Sequence, residues 1–211
     1  MSLKNRVKIS ASLNDFNQEI NRLQKFDFLN QQKFSNRELT KAQIELLVES
    51  IFFSAFRSFE GFLREVFILY CMEKQSSKRP KVKSYLKPRT FEHTEQMIKS
   101  SMEYLDWTNP STLVERSEMY LANNGHPIKL PITTNLQQLK EFKKIRNHIA
   151  HNSIESETHF IKIVRTYNNG VQPLRIPNPG EYLMFTSKRN RSNYLLLDFL
   201  DLMKQLAIDL T

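Results

Sequence analysis

The chain has 211 residues and a formal net charge of +9 at pH 7, and hydrophobic residues make up 40% of it. Such a hydrophobic content supports a packed core and excludes wholesale disorder. A basic chain attracts polyanions, nucleic acid before anionic membrane, although many basic proteins bind neither. The single cysteine, Cys71, excludes an internal disulfide framework, and the sequence contains no Cys/His or carboxylate cluster typical of a metal site.

The cellular compartment follows from what the sequence lacks. No apolar run approaches the roughly 18–20 residues that span a membrane, and the first ten residues have no apolar segment of a secretory signal. We therefore expect a cytoplasmic protein without a membrane segment. The chain has four glycines and no proline before Pro80, which favours helices, because β-rich folds need frequent turns.

Two long helices are predicted first. Apolar residues recur at intervals of three and four over residues 8–34, the spacing of an amphipathic helix. Ser35 and Glu38 then have the spacing of a capping box, which predicts a second helix over about 38–75. Apolar residues cover more than one side of this second helix, so we expect it to be central in the fold.

The second predicted helix also carries a row of small residues, Ser50, Ser54, Ser58 and Gly61, at helical spacing. Small side chains allow another backbone to approach closely. The row indicates either tight packing within the chain or the seam of a dimer.

A basic connection punctuated by prolines follows at residues 76–90. It is either a solvated loop or a loop that contacts phosphates, in which Tyr85 could stack on a base. Its cations are Lys78, Arg79, Lys81, Lys83, Lys87 and Arg89.

Two shorter helices are predicted next, over about 92–106 and 110–122. The second has Asn109 as its N-cap and Pro110 as its first helical residue, and the Asn-Asn-Gly sequence at 123–125 ends it.

An extended link bounded by Pro127 and Pro131 leads to the next predicted helix. That helix starts near Thr134, because Thr134 and Gln137 have capping-box spacing. It contains the most informative sequence in the chain, RNHIAH at residues 146–151.

On a helical wheel, Arg146 falls within the core-facing arc, while Asn147 and His151 share an adjoining face. His148 points towards solvent or a neighbouring element. With 13 Arg and 5 His in the chain, R-x4-H occurs about 0.3 times by chance, and requiring Asn directly after the Arg lowers this to about 0.025. The core-facing arc itself consists of Leu139, Phe142, Ile145 and Ile149.

An arginine on the core side needs an acid or an anion, because an unpaired buried charge is expensive. The candidate acids on the second helix are Glu45, Glu49 and Glu60, with Glu60 preferred because it lies within the apolar stretch. The alternative to a functional site is that Arg146 pairs with an acid and His151 only caps the helix C-terminus.

The last part of the chain is predicted to be mixed. We expect a turn at 152–158 and either helix or strand at 159–167. The sequence at 171–185 predicts a small β-hairpin that turns at Pro177, Pro179 and Gly180.

A second basic cluster, Lys188, Arg189 and Arg191, is expected to bind the RNA backbone together with the first, and it precedes a predicted terminal helix over about 192–209. We find no internal repeat and no domain linker, so a single domain over residues 1–211 is expected.

The sequence RNHIAH behind a long helix with the sequence SAFRSFEGFLREVF (residues 54–67) resembles the HEPN family, the higher eukaryote and prokaryote nucleotide-binding domain. The resemblance covers roughly residues 8–165. It is nearest to the stand-alone, toxin-like members of bacterial defence systems, close to the RiboL-PSP group.

The resemblance implies an all-α protein, an antiparallel bundle of four to five core helices that usually dimerises and often cleaves RNA without metal. Arg146 and His151 match the family's R-x4-6-H motif, and Asn147 matches its common polar residue after the arginine. Glu60 resembles an acidic position of the long helix, whereas His148 is outside the family pattern.

The chemistry of these residues agrees with that function. RNA is cleaved without metal when its 2′-OH attacks the adjacent phosphate, which needs a general base such as imidazole and a fixed cation such as guanidinium. We therefore expect a metal-independent endoribonuclease without a cofactor, with RNA, a second copy of the chain and an antitoxin as partners. The alternatives are a non-catalytic RNA- or nucleotide-binding module and a protein-interaction module.

Overall fold

The computed structural model describes residues 8–76, 81–100, 102 and 105–211. About 70% of the described residues are helical, and their β-structure is limited to two isolated bridges, Ser84 with Leu121 and Thr186 with Tyr194. The predicted all-α class is confirmed, while the four- to five-helix antiparallel bundle stays a prediction. The helices are α1 (Ile9–Ser35), α2 (Lys41–Cys71), α3 (Phe91–Lys99), α4 (Pro110–Tyr120), α5 (Ala122–Gly125), α6 (Lys129–Thr134), α7 (Leu136–His151), α8 (Ile154–Tyr167), α9 (Pro179–Leu183) and α10 (Leu195–Asp209).

The capping box of α2 lies five residues after the predicted one. Thr40 N–H donates to Gln43 Oε1 over 2.8 Å, and Gln43 N–H donates to Thr40 Oγ1 over 3.3 Å. The predicted pairing of Ser35 with Glu38 was wrong, because the Ser35 hydroxyl donates to the Gln31 carbonyl within the last turn of α1.

Helix α4 begins as predicted, with Asn109 as N-cap and Pro110 at its start. The extended link predicted between Pro127 and Pro131 was wrong, because the short helix α6 occupies most of it. Ile128 and Ile132 are buried, and Pro131 is the third residue of α6, where a backbone N–H would have no partner inside the helix. The proline is therefore compatible with a first helical turn.

The structure decides the ambiguous stretch after α7. Residues 154–167 form α8, capped by Ser153 and Ser156 in a reciprocal capping box. The expected turn over 152–158 is thus shorter than predicted, because the helix already begins at Ile154.

The predicted β-hairpin over 171–185 was wrong, because the short helix α9 replaces its second half. Asn178 caps α9 by accepting from Glu181 N–H, and Pro179 is its first residue. Proline and asparagine at these positions start a helix as readily as they turn a hairpin. Gly180 is needed for close approach, since a Cβ there would lie 2.3 Å from the Glu45 carbonyl oxygen.

The chain divides into two compact units of discontinuous segments, whose boundaries fall within α1, α2, α7 and α10. The prediction of one domain over residues 1–211 stays a prediction. The first unit comprises residues 1–18, 58–139 and 204–211, and the second comprises residues 19–57 and 140–203.

The first unit has an aromatic core. The Phe16 and Phe62 rings stack at 4.9 Å, and Phe67 lies 5.5 Å from Trp107. Burial stabilises such a core by about 25 cal/mol per Å² of apolar surface. Cys71 is fully buried in this unit, and burial raises the pKa of its thiol to about 12.

The second unit packs α2, α7 and α10 around Phe199. The Phe199 ring lies 4.3 Å from that of Phe52 and 4.5 Å from that of Phe142. Asp27 is buried in the same unit, where Tyr194 donates its hydroxyl to the carboxylate.

The row of small residues on α2 is open to solvent. Ser50, Ser54 and Gly61 are exposed and Ser58 is half-buried, and no described atom lies within 4 Å of a Cβ built on Gly61. Tight packing of this row within the chain is therefore wrong for the described residues, and the dimer seam stays a prediction. Among the described helices, none combines the length and apolar character of a membrane-spanning segment.

Candidate functional site

The rotational setting of α7 is fixed by its apolar face. Ile145 is buried, and the Phe142 ring packs edge-on against Phe199. These contacts determine which sides of the helix the polar residues 146–151 occupy, as the helical wheel predicted.

Arg146 lies half-buried beside α2. Its guanidinium carbon is 5.5 Å from the centroid of the Phe53 ring, and its Nη1 donates to Asn147 Oδ1 over 3.1 Å. A guanidinium over an aromatic face gains electrostatic energy. Within the described residues of the second unit, no carboxylate pairs with Arg146, so its charge is available to an anion.

The acids considered for Arg146 have other partners or lie in the other unit. The Glu45 carboxylate accepts from Asn178 Nδ2 over 2.7 Å, and Glu49 accepts from the Gly180 N–H over 2.9 Å. Burial raises the pKa of Glu49. Glu60 is half-buried in the first unit, and its predicted support of Arg146 stays a prediction.

His151 is the last residue of α7 and is exposed. Its imidazole has no hydrogen-bond or ion-pair partner among the residues that the structure describes. The helix ends here because Asn152 takes a positive φ of 42° and donates its N–H to the His148 carbonyl over 3.0 Å. A left-handed residue in this position is a common helix end, and asparagine tolerates it.

His148 is the best-anchored side chain of the motif. Its Nδ1 lies 3.3 Å from the Ser156 hydroxyl, and its ring stacks on Phe160 at 4.9 Å. Burial lowers the pKa of His148, and the charge of Glu157 opposes this in part. His148 therefore faces a neighbouring element, α8, one of the two alternatives that the helical wheel left open.

The contacts join only part of the predicted site. Arg146 and Asn147 form one pair, and His148 joins α8, whereas His151 stands apart at the helix end. Residues i and i+5 lie about 140° apart around an ideal helix. Arg146 and His151 of one chain therefore do not lie on one stripe of α7.

The predicted RNA-binding cations are mostly exposed. Lys83, Lys87 and Arg89 point outward, and Lys81 forms an ion pair with Glu73 at 3.0 Å. Lys78 and Arg79 lie outside the described residues.

The second basic cluster differs from the first, because Lys188 is already engaged. Its Nζ donates to Asn169 Oδ1 over 2.8 Å and lies 4.9 Å from the centroid of the Tyr167 ring. Arg189 and Arg191 are exposed.

Three residues that shape the site were not identified from the sequence. Phe53 belongs to the apolar surface of the second predicted helix, and nothing in its spacing indicates a partner for Arg146. Ser156 and Phe160 hold His148, but the sequence predicts a turn at 152–158 and leaves 159–167 as helix or strand. The Ser153–Ser156 spacing, which matches an N-cap and its third residue, was the available signal.

Other features of the described chain do not add to this site. A cavity of about 400 Å³ lies along α1 and is lined by Phe28, Gln31, Gln32, Ser35 and Asn36. The described residues contain no group of three or more His, Cys, Asp or Glu residues suited to a metal ion. Comparison of the chain with protein-family models, curated proteins and solved structures finds no match.

Proposed function

We propose that the protein is a metal-independent endoribonuclease of the toxin or defence type, resembling the HEPN family. Arg146, Asn147 and His151 form its active site. One observation carries the proposal. Among the described residues, the exposed imidazole of His151 has no partner at the end of α7, and Arg146 on the same helix, which contacts Asn147 and Phe53, has no carboxylate partner in its unit.

In this mechanism, His151 takes the proton of the 2′-OH as that oxygen attacks the adjacent phosphorus. The bond from phosphorus to the 5′ oxygen then breaks, and that oxygen takes a proton from solvent, which leaves a 2′,3′-cyclic phosphate and a 5′-OH. His151 returns the proton it took to solvent. Imidazole suits the proton transfer because its ordinary pKa is near neutrality.

Arg146 stabilises the charge that develops on the equatorial phosphate oxygens. Guanidinium offers five N–H donors in one plane. One of them is used on Asn147, which fixes the group for catalysis without a reorganisation cost.

A single copy of the motif cannot surround a phosphate, because Arg146 and His151 lie on different sides of α7. A second copy of the chain in a two-fold dimer would supply the opposite wall, so that Arg146 of one chain and His151 of its partner act on one phosphate. The exposed row of Ser50, Ser54 and Gly61 supports a seam on α2. A toxin of this type also implies an antitoxin that restrains it.

The test is incubation of the purified protein with total RNA in excess EDTA. We expect cleavage whose products have free 5′-OH ends, detected by direct labelling with polynucleotide kinase. His151→Ala and Arg146→Ala should abolish cleavage, whereas His159→Ala on α8 serves as a matched control and should cleave normally. Full cleavage by His151→Ala, or a requirement for divalent metal, would refute the proposal. Binding of RNA without any cleavage would establish the non-catalytic alternative.

A further inference from the structure

In the irregular segment at 81–89, exposed and buried side chains alternate regularly. Residues 81, 83, 85, 87 and 89 are exposed, while 82, 84, 86 and 88 are buried or half-buried. Alternation with period two is the mark of an extended chain with one face on a core. We name the outward row, Lys81, Lys83, Tyr85, Lys87 and Arg89, the cationic strip.

The cationic strip is pinned to the first unit by its backbone. Tyr85 N–H donates to the Tyr120 carbonyl and Lys83 accepts from Ala122 N–H, both over 2.9 Å. Ser84 N–H donates to Glu73 Oε1 over 3.1 Å, and Val82 is 6% exposed. A ligand that binds the strip therefore meets a preorganised edge and does not bear the entropy cost of ordering it.

The charge of the cationic strip is largely free. Of its four cations, Lys81 alone forms an ion pair among the described residues, with Glu73 at 3.0 Å. The segment bends at Tyr85 and again at Arg89, and its outward-facing residues are separated by inward-facing ones. Lys83, Lys87 and Arg89 thus offer a line of separate cations, which fits a linear polyanion better than a single compact anion.

The side chain of Tyr85 indicates which kind of polyanion the strip binds. It lies between the cations of the strip and is 67% exposed. An exposed aromatic ring among cations stacks on a nucleic-acid base, and stacking needs an unpaired base because a duplex hides the faces of its bases. An acidic protein or a lipid headgroup gives the ring no such partner.

We infer that the cationic strip is a binding site for an unpaired RNA strand, in which Lys83, Lys87 and Arg89 contact phosphates and Tyr85 stacks on a base. The choice of RNA rests on the proposed function. The preference for an unpaired strand rests on the alternation and on Tyr85.

The test measures binding with a probe that cannot be cleaved. A fluorescent, unstructured 12-nucleotide 2′-O-methyl RNA lacks the attacking hydroxyl, and the same strand annealed to its complement gives the duplex. Fluorescence anisotropy over a salt series yields the affinity and its salt slope for the full chain.

We expect Tyr85→Ala to weaken binding of the single strand about tenfold and to leave duplex binding unchanged. Tyr85→Phe keeps the ring and should bind normally. Lys83→Gln, Lys87→Gln and Arg89→Gln together should reduce the salt slope by about 2, because each phosphate contact on a single strand contributes about 0.7. The matched control replaces the exposed Lys8, Lys25 and Lys33 with Gln and should keep the slope.

The inference is overturned if Tyr85→Ala weakens neither probe or both equally, or if the control triple variant reduces the salt slope as much. It is also overturned if vesicles of phosphatidylserine and phosphatidylcholine capture the protein through the strip while the oligonucleotide does not respond. Failure of the ribonuclease proposal looks different. If RNA binding depends on Tyr85 but ordinary RNA is not cleaved in EDTA, the proposed catalytic function is refuted and the inferred binding site stands. Cleavage of RNA by a protein whose RNA binding is unchanged by the strip variants would support the ribonuclease and remove the strip.

Discussion

At the scale of single residues, the catalytic candidates differ in how much the fold depends on them. His151 is exposed at a helix end, so His151→Ala should change the free energy of unfolding by at most about 0.5 kcal/mol. Arg146→Ala loses the contact with Phe53 and should cost about 0.5–1 kcal/mol. Urea denaturation followed by circular dichroism measures both. A loss of several kcal/mol for His151→Ala would mean that its role is structural.

His148 should make stability depend on pH. Burial holds its pKa below the ordinary value of 6.5 in the folded chain, so the unfolded chain binds the proton more tightly. The full stability is therefore present above pH 6.5 and is lost as the pH falls through the folded pKa. His148→Gln keeps a polar partner for Ser156 but does not titrate. Urea denaturation at pH 7.5 and 5.0 should show a smaller loss for the variant than for the natural chain, and equal losses would contradict this account.

Asp27 should make stability depend on pH in the direction opposite to that of His148. It is buried, and burial raises its pKa to about 6, whereas the unfolded value is about 3.9. The stability that its protonated form contributes is fully present below about pH 4 and is lost as the pH rises through 6, by about 3 kcal/mol at most. In the same denaturation experiment, the free energy of unfolding of Asp27→Asn should therefore change less between pH 4.5 and 7.5 than that of the natural chain. A variant with an unchanged profile would mean that Asp27 stays ionised in the fold.

At the scale of elements, α9 docks on α2 through its backbone. Gly180→Ala places a Cβ 2.3 Å from the Glu45 carbonyl oxygen, and the shift required should cost about 1–3 kcal/mol. Gly61→Ala is the matched control at protein concentrations where the chain is monomeric, since the same methyl group meets no described atom of its own chain within 4 Å and should stabilise α2 by about 0.5–1 kcal/mol. The midpoint temperatures of thermal unfolding should shift in opposite directions for the two variants. Destabilisation by both would show that Gly61 is covered.

The sequence was most informative about elements with a strong period. The helices α1, α2, α4 and α10 follow from apolar spacing and from the Asn109-Pro110 start. The predicted β-hairpin failed because its alternative depends on long-range contacts. At residues 171–185, Pro, Asn and Gly are compatible with a hairpin turn and with a helix cap, and the choice depends on Glu45 and Glu49, which accept hydrogen bonds from Asn178 and Gly180. Contacts so distant in sequence leave no local pattern.

The candidate site was predictable to a similar extent. The spacing of RNHIAH places Arg146 on the core side of α7 and leaves His148 facing either solvent or a neighbouring element. It could not predict the Phe53 ring under Arg146 or the Ser156 hydroxyl beside His148, because both depend on tertiary packing.

At the scale of the whole molecule, we expect a two-fold homodimer. Sedimentation equilibrium at micromolar concentration should give about twice the chain mass of 25.0 kDa. Gly61→Leu should produce monomers and reduce cleavage together, because the bulk would separate the seam on α2.

The control for the dimer is Gln18→Leu, which adds similar apolar bulk at an exposed position of α1 and should stay dimeric and active. A monomer that cleaves RNA normally would exclude the composite site.

The buried thiol of Cys71 makes the dimer accessible to spectroscopy. Enclosed and protonated at neutral pH, it does not compete for a maleimide or methanethiosulfonate reagent, and it is the only cysteine in the chain. A cysteine introduced at exposed Ser54 can therefore receive a nitroxide label without removal of the natural one. Dipolar spectroscopy on that protein would report a single, short interspin distance if two copies of α2 face each other across a two-fold axis.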